Sequence, residues 1–137
     1  MTRLAAAQMK STANLDENYQ QIRDLAELAQ AQKADILVLP EECLTLKMPD
    51  EAKTALSQDK QVVQTLSDIA RQYNLWLIAG SVPQDYRDGK YYATLLAFDN
   101  EGTVQGRYQK IHLFDVEVGV GKTYHESNQV LAGKAPK

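Results

Sequence analysis

The sequence predicts an α/β fold, a layered sheet with helices packed on it. Two runs, Ile36–Leu39 and Leu75–Ala79, are apolar at every position, as strands covered on both faces are. Each follows a segment whose apolar residues recur at helical spacing. The 137 residues are 44% hydrophobic and 24% charged, the balance of one ordinary globular domain. Fully apolar strands between amphipathic helices argue for a layered sheet rather than a bundle or a sandwich of hairpins.

Leu4–Gln8 opens the chain as a short apolar strand. Asn14 stands where an N-cap belongs, with Glu17 three residues on, an asparagine form of the capping box. Tyr19, Ile22, Ala26 and Ala29 then mark a helix that ends near Gln32. Asp35–Pro40 is a buried strand stopped by its proline. Val62, Leu66, Ile69, Ala70 and Tyr73 form a second helical stripe, and Asn74 suits the position after its end. Leu75–Gly80 is the next strand. Tyr91–Phe98 and Thr103–Tyr108 flank the turn residues Asp99-Asn100-Glu101-Gly102, which predicts a hairpin. The order is β-α-β-α-β-β-β. Beyond Lys110 the pattern is irregular and glycine-rich, and no repeat, low-complexity tract or linker interrupts it.

The formal net charge of −3 gives no basic field to hold nucleic acid. The apolar runs fall far short of the roughly 18–20 residues that cross a bilayer, so no membrane partner is expected. A single cysteine excludes an internal disulfide framework and a multi-cysteine metal site. It fits a reducing compartment, and the start MTRLAAAQMKST lacks the apolar core of a secretory signal. A cytoplasmic location is the expectation.

Several short signals compete for chemistry. Gly119-Val120-Gly121-Lys122-Thr123 resembles the end of a phosphate-binding loop, but Val116 stands where that loop needs its first glycine. We read it as a glycine-rich surface loop. His112, His125 and Cys43 show no metal-ligand spacing. Cys43 follows two glutamates, whose charge raises a thiol's pKa, so it reads as a half-buried small residue rather than a nucleophile. Glu41 lies just past the end of a buried strand, where open α/β sheets place their sites and where burial would tune a carboxylate toward a general base. Lys110, at another strand end, could reach a sheet-edge cleft and stabilise an oxyanion. On the residues alone, a solvated glutamate and a surface lysine remain equally open.

In order along the chain, Ala6-Ala7-Gln8-Met9, Ile36-Leu37-Val38-Leu39-Pro40-Glu41, Trp76-Leu77-Ile78-Ala79-Gly80-Ser81, Tyr108–Val116 and Tyr124-His125-Glu126-Ser127 resemble the nitrilase superfamily of carbon–nitrogen hydrolases. The likeness runs over nearly the whole chain and is nearest to the Nit-type amidases. That branch acts on deaminated glutathione or on α-keto acid amides, the former being the nearer likeness. The resemblance implies an αββα sandwich of two facing sheets between helical layers, often dimeric. It implies a Glu-Lys-Cys mechanism on a small-molecule amide, with no cofactor and no metal. Glu41 would be the general base, Lys110 the oxyanion cation, and Glu126 a supporting carboxylate that orients the lysine and the substrate. The family's nucleophilic cysteine follows the lysine on a later strand, beyond Lys137, and Cys43 does not replace it. Residues 1–137 are therefore expected to form the first half of the sandwich, a partial domain without its nucleophile. Three readings follow: an inactive truncated amidase, one half of a split amidase completed by a second chain, or a non-catalytic α/β interaction module. A homodimer, or pairing with the C-terminal half, is the expected assembly.

Overall fold

The computed structural model describes residues 1–119, 121 and 123–135. It opens with β1 (Leu4–Ala6), α1 (Leu15–Ala31) and β2 (Ile36–Val38), followed by α2 (Asp50–Leu56) and α3 (Gln61–Tyr73). Then come β3 (Trp76–Arg87), β4 (Lys90–Phe98) and β5 (Val104–Gln109). A small pair, β6 (Asp115–Glu117) and β7 (Thr123–His125), leads into a 3₁₀ turn at Glu126–Asn128.

Local chemistry accounts for the helix ends. The Asn14 side chain accepts from the Asp16 and Glu17 amides at 2.9 and 3.2 Å, satisfying two of the donors that a helix start leaves free. Asp16 and Glu17 add negative charge at that positive end. At the end of α3, Asn74 takes a left-handed conformation with φ of 53°, and the chain turns into β3.

The main sheet has strand order β1-β2-β3-β4-β5. The first three strands are parallel, and β3-β4-β5 run antiparallel as a meander. Ile22, Ala26, Leu66 and Ile69 from the helices form one buried core with Leu37, Leu77, Ala79, Leu96 and Phe98 from the strands. Side chains alternate across a strand. The neighbours of those strand residues therefore face the other side: Ile36, Val38, Ile78 and Ala97 are half-buried, and Leu4, Ala6 and Trp76 are exposed. Among the described residues the helices cover one face only, giving one helical layer on one sheet.

Three elements differ from the sequence prediction. The seven residues of α2 bury only Leu56, too little to mark a helical stripe. β3 does not stop at Gly80 but runs to Arg87 and pairs with β4 across an Asp88-Gly89 turn. Pro83 lies within this strand between two register shifts, Ala79/Val82 and Gln84/Arg87, where a sheet tolerates proline. The stretch after Lys110, expected to be irregular, holds the β6-β7 pair.

Candidate active site

The site grows from two loop segments brought together over a long stretch of sequence. After β2 the chain turns through residues 39–48. Two buried polar side chains pin this turn. Asn18 on α1 donates to the Leu44 carbonyl at 2.8 Å, and the Ser11 hydroxyl donates to the Cys43 carbonyl at 2.9 Å. Cys43, Leu44 and Thr45 are buried as a result, while Glu41 is exposed and Glu42 half-exposed. Glu42 has a left-handed backbone, with φ of 51°, and pairs with Lys53 of α2 at 2.6 Å.

The second segment begins where β5 ends. The Lys110 amide donates to the Ala93 carbonyl at 2.9 Å, so the sheet fixes the base of its side chain. The Lys110 ammonium donates to Glu41 Oε1 at 2.9 Å, across 69 positions of sequence. It also lies 3.1 and 3.0 Å from the two carboxylate oxygens of Glu126. The Phe114 amide donates to Glu126 Oε2 at 2.6 Å, which fixes that carboxylate from behind. Glu41, Lys110 and Glu126 thus meet at one point.

Desolvation pulls the charged form of Lys110 down, but the hydrogen bonds to Glu41 and Glu126 outweigh it and hold its pKa above the usual lysine value. The lysine is a standing cation at neutral pH and not a base. The Glu41 side chain is 64% exposed, so the burial anticipated for it is absent in this structure. The cluster opens into a cleft of about 530 Å³ that also includes Leu46, Tyr91, Phe114 and Tyr124. The Phe114 and Tyr124 rings pack at a tilt, 5.8 Å between centroids.

Cys43 lies outside this cleft lining. It is fully buried rather than half-buried, and burial pushes its thiol up to about 12. The cause is desolvation and not the charge of the adjacent glutamates. His125 borders the cleft. No three His, Cys, Asp or Glu side chains among the described residues group as metal ligands. In the glycine-rich stretch 119–123, Val120 and Lys122 lie outside the described residues. No helix of the described residues is long and apolar enough to cross a membrane. Lys53 was missed by the sequence reading. Its one signal, two acids after a proline in Pro49-Asp50-Glu51, marks a helix start, but too few apolar residues follow to confirm one.

The family model of carbon–nitrogen hydrolases matches residues 3–136. The chain belongs to the carbon–nitrogen hydrolase family. The chain is 35% identical over 136 residues to a deaminated glutathione amidase of Synechocystis, matching 95% of its own length and 49% of that protein. It is 32% identical to the omega-amidase NIT2 of Homo sapiens, with 96% and 48% covered. Among solved structures it superposes on an amidase from Nesterenkonia with a TM-score of 0.83 at 25% identity, covering 98% of this chain and 49% of that one. The Caenorhabditis elegans NitFhit protein gives a TM-score of 0.82 at 26% identity, with 98% and 34% covered. The chain spans about half the length of the curated relatives it matches. Its sheet and helical layer have the fold of the nitrilase-type amidases.

Proposed function

We propose that residues 1–137 carry the base and oxyanion side of an amidase that hydrolyses a small carboxamide to an acid and ammonia. The carrying observation is the meeting of Glu41, Lys110 and Glu126 at the mouth of one cleft. In this reading Glu41 accepts the proton of a cysteine thiol. The thiolate attacks the amide carbon, and Lys110 stabilises the negative oxygen of the tetrahedral adduct. Glu41 then gives that proton to the amide nitrogen, and collapse of the adduct forms a thioester, releases ammonia and leaves Glu41 a carboxylate again. Water, deprotonated by Glu41, then cleaves the thioester to the acid and regenerates the thiol. Glu126 keeps the lysine charged and aimed. An amide is a poor electrophile, so a base-activated thiol and a fixed cation are needed together.

The thiol has to come from outside these residues, because Cys43 is buried away from the cleft lining with its pKa pushed up to about 12. We therefore read residues 1–137 as a partial hydrolase domain that does not turn over amides unaided, in the cytoplasm where a lone reduced cysteine fits. The relatives' names favour deaminated glutathione as the substrate class, and the family resemblance adds α-keto acid amides as the next. A second chain that supplies the cysteine would make it one half of a split enzyme. The alternative is a non-catalytic interaction module.

The experiment is ammonia release from deaminated glutathione and α-ketoglutaramate, by the chain alone and with the C-terminal half of a relative added. No release alone and release on addition is the expected outcome. In the completed form Glu41→Gln abolishes release and Glu42→Gln, whose partner is Lys53, spares most of it. Turnover by the chain alone that vanishes in Cys43→Ala overturns the reading.

A further inference from the structure

The backbone of Ser127, next in sequence to Glu126, is held at both its N–H and its carbonyl by charged side chains. On one side Asp115 Oδ1 accepts its N–H at 2.9 Å. On the other, the Lys90 ammonium, from the start of β4, donates to its carbonyl at 2.7 Å. Neither Lys90 nor Asp115 lines the cleft. Hydrogen bonds to a charged partner are about twice as strong as neutral ones, and here two of opposite sign act on the two peptide units that flank the Ser127 Cα. Ser127 lies in the short turn Glu126–Asn128, which is also tied to Phe114, just before β6: the Phe114 amide donates to the Glu126 carboxylate, and the Phe114 carbonyl accepts from the Glu126 amide at 3.3 Å.

We propose that Lys90 and Asp115 are positioning residues: they clamp the Ser127 backbone and so hold the Glu126 carboxylate against Lys110. The proposal rests on the reading of Lys110 as the oxyanion cation, and it names what keeps that cation in place. Without the clamp, Glu126 would keep its Phe114 contacts but on a looser turn, and its hold on Lys110 would weaken. The ordinary alternative is that both contacts merely tie down a surface turn. In that case Lys110 would not sense their loss. Asp115 holds its proton less readily than a free aspartate because Ser127 hydrogen-bonds its carboxylate, so it stays an anionic acceptor at neutral pH.

The test is trace acetylation of the 137-residue chain with acetic anhydride at mildly alkaline pH, read by peptide mass spectrometry. Only the unprotonated amine reacts, so the rate at Lys110 reports how firmly its charge is held. Lys10 serves as the exposed reference. Lys53, 13% exposed, reports loss of the fold. Glu126→Gln sets the scale. The expected result is that Asp115→Ala and Lys90→Met each raise the Lys110 rate about three-fold, half a pKa unit, with Lys53 still slow. Asp115→Asn, which keeps an acceptor for the Ser127 amide, should restore the parental rate. If Asp115→Ala accelerates Lys53 as well, Lys90→Met decides alone. A Lys110 rate that responds to Glu126→Gln but to neither clamp variant overturns the proposal. Ammonia release plays no part in this readout, so failure of the amidase reading would be seen separately.

Discussion

On the helical side of the sheet Leu77 and Phe98 face each other in register, both almost fully buried. One position along, Ile78 faces Ala97, and both are only half-buried. The same strands supply both pairs, and all four residues are apolar. Apolarity on both sides of a strand therefore shows that two covers are needed, while the described residues supply one. Leu4 and Trp76, 59% and 39% exposed, lie on the open side. Contiguous apolar surface of this kind favours association over a stable monomer.

The largest expected effect is on the covered side. Phe98→Ala should cost about 3–5 kcal/mol, the usual loss for a buried phenylalanine, as read from urea unfolding. Ile78→Ala on the open side should cost about 1 kcal/mol, because its side chain has fewer contacts to lose. Equal losses would mean that both faces are covered in solution.

Self-association should follow the open face. Ile78→Lys should lower it several-fold in sedimentation velocity, with little change in the unfolding midpoint. A sharp unfolding transition of a soluble parental monomer at micromolar concentration would break the comparison.

The smallest effects are polar, and pH separates them from both faces. The folded pKa of Lys110 is raised, so its contribution is complete below the ordinary lysine value of 10.5 and fades as pH rises through the higher folded value. Its size should be about 1 kcal/mol or less, given the exposure of Glu41. Asp115 has the opposite sign: its contribution is present above 3.8 and is lost as pH falls through its lowered folded value. Lys110→Met should remove the alkaline loss, and Asp115→Asn the acid one, in a pH series of unfolding midpoints.

The parts of the fold legible in sequence were those with a period or a cap. The Asn14 cap, both long helices, the cores of β2 and β3 and the β4-β5 hairpin all carried such marks. The short α2 did not, nor did the continuation of β3 past Gly80, because sequence does not reveal a bulge. At the site, Glu41, Lys110 and Glu126 could be named from a resemblance, but nothing in their spacing predicts that they touch. That contact depends on Asn18 and Ser11, two polar residues whose burial no pattern announces. The charged contacts of Lys53 and Lys90 likewise depend on tertiary approach alone.

The separation of the two halves of the site also has a consequence in time. During synthesis at about 5–20 residues per second, Glu42 waits for a lysine only 11 positions behind it, about half a second to two seconds at that pace. Glu41 waits for one 69 positions behind, about 3–14 seconds. For that interval the emerging chain presents the turn after β2 with one carboxylate neutralised and the other still unpaired. A nascent-chain experiment arrested at successive lengths would see Glu42 acquire its partner first, and the cleft close only after β5 has left the ribosome.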